Sequence, residues 1–260
     1  MTETVQSVDG TTIAYERTGD GPGLVLVGGA LSNRRAADEI VRMLATHFTV
    51  YAYDRRGRGD SGDTAPYAVE REIDDLRVLV DAAGGTALVY GHSSGGVLAL
   101  EATAAGLPVT RLAVYEPPYM IDDTRERPPA DFARRVQTAV DAGRRGEAIE
   151  LFLREAVGLP AEVVAMIEQS PGWQGMLASA HTVPYDIAIV GDGSMPTERL
   201  AQITVPTLVM DGGASPQWAR NAVVAVAGAV AGARRLTVEG QDHAVASTVL
   251  APVLIEYFTR

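Results

Sequence analysis

Cysteine and lysine are both absent from this chain of 260 residues. Without cysteine the chain has no thiol nucleophile, no disulfide and no thiolate metal ligand. Without lysine it has no amine for Schiff-base chemistry and no phosphate-loop lysine. All 22 basic residues are therefore arginines.

The charge balance excludes further classes of function. The net charge of −11 opposes binding to nucleic acids and to anionic membrane surfaces. The 4 histidines have no metal-protease spacing, and we expect neither a metal site nor a cofactor. No basic, apolar leader stands at the start, and no apolar run has the length of a membrane span. We expect a cytoplasmic protein, a monomer or homodimer, that acts on a small molecule.

The most informative stretch is Gly91–Gly95, a serine between two glycines. An apolar, strand-like run precedes it and a helix-forming run follows it. This G-x-S-x-G pattern at a strand-to-helix corner is a nucleophile elbow, in which a strained turn projects the hydroxyl of Ser93 above the sheet. The amide of Ser94, at the helix N-terminus, points toward the same space and supplies half of an oxyanion hole.

The rest of the chain alternates between buried strands and amphipathic helices. The run Leu24–Val27 is apolar throughout, as is typical of a strand buried on both faces. Residues 69–83 have helical spacing, with an apolar stripe on one face and acids and arginines opposite. This alternation predicts an α/β fold with a parallel, doubly wound sheet.

The pattern changes after Glu116. Two proline pairs break the chain, short helical segments follow, and no buried strand is indicated until residue 207. We predict that residues 117–200 form a helical lid, inserted into a core domain made of 1–116 and 201–260. The lid has a net charge of −5 (8 arginines and 13 acids), so a phosphorylated carrier is not inferred as the substrate.

At neutral pH a serine hydroxyl acts as a nucleophile only when a neighbouring base accepts its proton. His243 fits this role because it lies in a loop after the last predicted strand, and elbow enzymes place their histidine last in the chain.

At this point the chain resembles the α/β-hydrolase fold family over essentially its whole length. The resemblance rests on the elbow, the Asp54–Ser61 loop, the Val205–Thr207 entry to the seventh strand, and the Gly240–His243 loop. It implies a mostly parallel sheet of eight strands with an inserted lid. It also implies that the second oxyanion donor is the amide of Ala30, although Gly28 and Gly29 replace the usual His-Gly pair.

The acid of the triad departs from the family pattern. Relatives usually carry an aspartate after the seventh strand in G-x-x-D, and here Ser215 occupies that place. A serine cannot stabilise the imidazolium that forms. Glu116, at the end of the sixth strand, is the preferred replacement, similar to the acid of haloalkane dehalogenases. Asp211 is the alternative.

Several apolar and aromatic side chains are candidates for the substrate pocket. They are Leu31, Met120, Trp173, Met176, Tyr185 and Trp218.

These residues together predict a cofactor-free serine hydrolase. Its substrate would be a carboxylic ester, lactone or thioester of a mainly apolar small molecule. Two alternatives remain open: a lyase, perhydrolase or cyclase that uses Ser93 and His243 for proton transfer, and a catalytically silent ligand-binding protein.

Overall fold

The computed structural model describes all residues, 1–260, and is built around one sheet of eight strands. The strands are β1 (Thr2–Gln6), β2 (Thr12–Thr18), β3 (Gly23–Val27), β4 (Thr49–Tyr53), β5 (Ala87–His92), β6 (Val109–Tyr115), β7 (Thr207–Gly212) and β8 (Arg234–Val238). Their order in the sheet is β1-β2-β4-β3-β5-β6-β7-β8. Only β2 runs antiparallel to its neighbours, β1 and β4, and all other pairs are parallel. The predicted fold class is confirmed.

Eleven α-helices accompany the sheet. They are α1 (Asp38–Leu44), α2 (Val69–Ala82), α3 (Ser94–Ala104), α4 (Phe132–Asp141), α5 (Arg145–Leu151), α6 (Ala161–Glu168), α7 (Trp173–Ser179), α8 (Val183–Val190), α9 (Thr197–Leu200), α10 (Gln217–Ala229) and α11 (Ser247–Phe258). Short 3-10 turns precede α1 and α8, at Arg34–Ala37 and Ala180–Thr182, and a π-helical segment, Phe152–Val157, continues α5. No helix combines the length and the apolar character needed to cross a bilayer.

The core consists of two apolar layers, one on each face of the sheet. Because strand side chains alternate between faces, Val25 and Val27 pack with α2, α3 and α10, whereas Leu24 and Leu26 pack with α1 and α11. A strand with a helix layer on both sides has no solvated face. This explains why β3 is apolar at every position from residue 24 to 27.

Two acids of α2 lie where the helical pattern did not predict them. Glu72 and Asp75 are 1% and 0% exposed, although the pattern placed the charged residues of this helix on its outer face. The reason is charge pairing, since Glu72 binds Arg55 at 2.7 Å and Asp75 binds Arg56 at 2.7 Å.

Between β6 and β7 the chain forms only helices and connecting loops, α4 to α9. Two small apolar clusters hold this segment together, one around Phe132 and Val136 and the other around Ile149 and Leu153. The division of the chain into a core domain, 1–116 and 201–260, and an inserted helical lid, 117–200, stays a prediction.

Parallel register brings four strand ends to one edge of the sheet. Val27 of β3 lies beside Gly91 of β5, and His92 of β5 lies beside Tyr115 of β6. Tyr115 in turn pairs with Met210 of β7. The residues that follow these strands are therefore neighbours in space although they are far apart in sequence.

The elbow glycines are required by close packing. A Cβ atom on Gly95 would lie 2.4 Å from the carbonyl oxygen of Val27 and 2.5 Å from that of Gly28. On Gly91 it would lie 2.6 Å from the carbonyl oxygen of Gly95. The first turn of α3 thus sits directly against the end of β3, and no side chain fits between them.

Gly95→Ala is therefore expected to destabilise the protein by about 1–3 kcal/mol, because backbone atoms must shift to admit the methyl group. Gly228→Ala is the matched control, since Gly228 lies in the exposed part of α10 and an added methyl group would have no neighbour within 4 Å. Alanine there should stabilise by about 0.5–1 kcal/mol. Urea unfolding measures both changes. A Gly95→Ala variant as stable as the wild type would contradict the packing described.

Candidate active site

Ser93 occupies a strained turn between β5 and α3. Its backbone has φ of 56° and ψ of −126°, in a region that non-glycine residues seldom adopt. The turn is held from both sides, because the amide of Ser93 donates to the carbonyl of Tyr115 at 2.9 Å and its own carbonyl accepts from the amide of Gly96 at 2.8 Å. This geometry is that of the elbow predicted from the motif.

His243 contacts Glu116 directly. The Nδ1 atom of His243 lies 2.8 Å from Oε2 of Glu116, and Oε1 of the same carboxylate accepts a hydrogen bond from the amide of Gly212 at 2.9 Å. Because a carboxylate only accepts, Nδ1 carries the proton, and Nε2 of the neutral ring is left with a free lone pair. Glu116 also has positive φ, 46°, immediately after β6.

The electrostatics of Glu116 favour its ionised form. Its side chain is 2% exposed, and burial alone would raise its pKa. The bond to His243, the nearby Ser215 hydroxyl and the Gly212 amide together outweigh burial, and the pKa lies below its ordinary value. The Ser215 hydroxyl is itself buried and makes no hydrogen bond of ordinary geometry, so the two observed bonds to the carboxylate are those of His243 and Gly212. A negative charge beside His243 is the result.

The alternative acid lies elsewhere. Asp211 is fully buried, accepts a hydrogen bond from Thr237 at 2.9 Å and lies 3.1 Å from the guanidinium of Arg235. Its partners are Thr237 and Arg235 of β8 and Arg220 of α10, and it makes no hydrogen bond or ion pair with His243.

A cavity of about 450 Å³ joins the candidate residues. Ser93 and His243 both border it, without a hydrogen bond between them. Most of its lining residues are apolar; those contributed by α1, the π-helical segment, α7 and α11 are Ile40, Phe152, Leu153, Val157, Met176 and Leu250. This surface suits an apolar ligand rather than a charged one.

The residues from Gly28 to Leu31 form the wall next to Ser93. A Cβ atom on Gly29 would lie 3.1 Å from Cβ of Ser93, so glycine allows the chain to pass close to the elbow. The amide of Ala30 donates to no other protein group, and the amide of Ser94 begins α3, where a helix offers no internal acceptor. Both amides therefore lack a protein acceptor, and Ala30 borders the cavity.

Of the six candidate pocket residues, Leu31 and Met176 border the cavity. The other four are engaged outside it. Met120 packs against Gly193, and Trp173 packs beside Ile149 and Leu153. Tyr185 stacks on Tyr67 with ring centres 3.9 Å apart, and Trp218 lies under the guanidinium of Arg125 at 4.4 Å.

His92 makes a contact that the motif alone did not predict. Its Nε2 atom lies 3.0 Å from the carbonyl oxygen of His243, so this nitrogen donates, and the two rings are 4.8 Å apart. Burial, reinforced by repulsion from His243, lowers the pKa of His92 to about 4. A neutral His92 thus fixes the backbone of the loop that carries His243.

Other residues around the site were also not predicted from the sequence. Asp186 of α8 is fully buried and binds both Arg55, at 2.8 Å, and Arg58, at 2.6 Å. The available signal was a single acid within the apolar run of residues 183–190. No group of three or more His, Asp or Glu side chains is arranged to hold a metal ion.

Comparison with known proteins places this geometry in a family. The profile of the Alpha/beta hydrolase family matches residues 24–252. The chain belongs to this family.

Some solved structures are similar to this chain over nearly its whole length. An alpha/beta hydrolase from Sphaerobacter thermophilus is 56% identical, with a TM-score of 0.96 over 98% of this chain and 100% of the other. An esterase from a Rhodococcus species is 21% identical, with a TM-score of 0.74 over 99% and 98% of the two chains, and shows the shared fold alone. The uncharacterised hydrolase YraK of Bacillus subtilis is 36% identical over 98 residues, a match that spans 36% of each chain.

The lowered pKa of His92 predicts a pH dependence of stability. The unfolded chain takes up a proton near the ordinary value of 6.5, whereas folded His92 does so only near 4. The free energy of unfolding should therefore fall as the pH decreases from about 6.5 to about 4, by about 1–3 kcal/mol from this group. Urea unfolding of wild type and His92→Phe over this range measures the difference. Identical pH profiles for the two proteins would contradict the assignment.

Proposed function

We propose that this hydrolase is a cofactor-free serine hydrolase that cleaves a carboxylic ester, lactone or thioester of a mainly apolar small molecule. The observation that carries the proposal is the bond between Nδ1 of His243 and the buried carboxylate of Glu116, since both His243 and Ser93 border the cavity. This bond leaves the lone pair of Nε2 free on a ring that borders the same space as Ser93.

The proposed reaction has two halves. Ser93 Oγ attacks the substrate carbonyl carbon while Nε2 of His243 accepts the hydroxyl proton. Glu116 stabilises the imidazolium that forms, and the amides of Ala30 and Ser94 bind the anionic oxygen. His243 returns its proton to the leaving alcohol or thiol, and the acyl-enzyme remains. Water then repeats the sequence and releases the acid.

The substrate class is inferred from the wall of the cavity and from its volume. An apolar wall favours acyl or alkyl groups over charged ones, and the volume of about 450 Å³ suits a small molecule. The esterase among the similar folds is compatible with this chemistry.

Ser93→Ala is expected to abolish turnover of short and medium-chain p-nitrophenyl esters, because no other hydroxyl takes the nucleophile's place. Wild type should be labelled at Ser93 by a fluorophosphonate probe, and an acyl-enzyme should be detectable by mass spectrometry. Ester turnover without an acyl-enzyme would favour proton-transfer chemistry instead. A wild type that neither turns over esters nor reacts with the probe would favour a ligand-binding protein.

Glu116→Gln is expected to lower kcat by about 10³- to 10⁴-fold, since a neutral amide cannot stabilise the imidazolium. Asp211→Asn is the matched control, because it neutralises another buried acid at the end of the neighbouring strand; we expect a loss of about tenfold or less per folded molecule. Steady-state kinetics with active-site titration compares them. Near-wild-type turnover by Glu116→Gln would remove this residue from the proposed triad.

A further inference from the structure

The carbonyl oxygen of Gly29 is held by two donors. The hydroxyl of Ser32 donates to it at 2.7 Å, and Nη1 of Arg58 donates to it at 2.7 Å. Ser32 belongs to the same turn, but Arg58 comes from the loop after β4 and carries a charge. A carbonyl oxygen has two lone pairs, and both are engaged here.

This carbonyl shares a peptide group with the amide of Ala30. In a planar trans peptide the C=O and N–H bonds point in opposite directions. Holding the oxygen of Gly29 toward Arg58 therefore directs the N–H of Ala30 the other way, to the cavity that Ser93 borders. The charge-assisted bond also polarises the peptide group and makes this N–H a stronger donor.

The turn needs such a hold because its backbone is strained. Leu31, the residue after Ala30, has φ of 59°. Left-handed backbone at a non-glycine residue is unfavourable and persists only where neighbouring contacts enforce it. Rotation of the Gly29–Ala30 peptide group would relieve this backbone strain and would point the amide of Ala30 away from the cavity.

Arg58 is itself fixed by the helical segment between β6 and β7. Its Nε donates to the hydroxyl of Thr182 at 3.1 Å, and its Nη2 binds Asp186 at 2.6 Å. The other oxygen of Asp186 accepts a hydrogen bond from the hydroxyl of Ser94 at 2.8 Å. One buried carboxylate thus contacts both the side chain of Ser94, directly, and Arg58, which holds the Gly29–Ala30 peptide group.

We propose that Arg58 is a positioning residue that orients and polarises the Gly29–Ala30 peptide group so that the Ala30 amide binds the anionic oxygen of the transition state. This inference rests on the proposed function and deepens it. It assigns to Arg58 an effect on the transition state and none on binding of the uncharged substrate.

The test compares Arg58→Met with Arg56→Met. Both arginines are fully buried in the same loop, and each pairs with a buried aspartate, but Arg56 binds Asp75 and does not contact Gly29. The pair separates loss of the peptide contact from loss of any buried arginine. Thermal melts report the folded fraction, and kinetics are normalised to it.

With p-nitrophenyl butyrate, Arg58→Met should lower kcat by about 10- to 100-fold and change KM by less than about threefold, a smaller effect than deletion of an oxyanion donor. Arg56→Met should keep wild-type kcat per folded molecule. Arg58→Lys, which restores a charge without the planar fork, should recover part of the loss.

The inhibition constants of two ketones distinguish an effect on the transition state from a purely structural effect of Arg58. A trifluoromethyl ketone accepts Ser93 Oγ at its carbonyl carbon; the hydroxyl proton passes to His243, and the carbonyl oxygen becomes an anion. The methyl ketone of the same chain binds without forming this adduct. In Arg58→Met the inhibition constant of the trifluoromethyl ketone should rise by the same factor as kcat falls. The inhibition constant of the methyl ketone should stay within about twofold of the wild-type value.

Wild-type kcat in Arg58→Met, equal weakening of both ketones, or the same loss in Arg56→Met would overturn the proposal. If Arg58→Met does not fold, Arg58→Lys and Ser32→Ala decide, because each weakens the hold on the Gly29 carbonyl and should show the same ketone pattern in smaller measure. A wild type that hydrolyses no ester and forms no adduct would overturn the proposed function as well. An active wild type with an unaffected variant overturns this inference alone.

Discussion

The structure depends on the parallel register of β3, β5, β6 and β7. Because these strands pair with their ends aligned, the residues after Val27, His92 and Tyr115 come together at one edge of the sheet. Side chains that project from such an edge can meet across distances of many residues in sequence. The contact between Glu116 and the loop after β8 follows from this alignment, since the amide of Gly212 in β7 holds the same carboxylate.

A second constraint is the burial of charge below that edge. Arg55, Arg56 and Arg58 are each at most 2% exposed, and each binds at least one buried carboxylate. Removing such ions from water is costly unless every donor finds an acceptor, and planar guanidinium groups supply several donors in fixed directions. Because this chain contains no lysine, all of these buried cations are arginines, the side chain best suited to pairing with buried carboxylates.

Much of the fold and part of the site could be read from the sequence. The alternation of apolar runs and helices predicts the sheet, because burial on both faces leaves a direct mark on strand composition. The elbow was predictable because its glycines are required by close contacts. These contacts join the first turn of α3 to the end of β3 and to the elbow itself, so they leave a mark within a short stretch of sequence. Glu116 and His243 were predictable as neighbours because both follow strands of the same sheet.

The remainder depends on contacts that leave no periodic mark in the sequence. Burial of Glu72 is decided by a partner, Arg55, on a different element. Four candidate pocket residues lie away from the cavity: three in the segment between β6 and β7, whose packing is set by how short helices fit each other, and Trp218 on α10. Trp218, for example, is covered by Arg125, a contact between segments that lie far apart in the chain. Composition identifies apolar residues, but it does not say which neighbour each will choose.

The loop that carries His243 is tied to the sheet through main-chain carbonyls. Tyr115 donates its hydroxyl to the carbonyl of Asp242 at 2.7 Å, and His92 donates to the next carbonyl along. Neither tie involves the helices between β6 and β7, whereas Phe152, Leu153 and Met176 of that segment line the cavity. His243 and this part of the cavity wall are thus anchored separately. Substitutions in the wall can change the shape of the cavity over evolutionary time while His243 keeps its position.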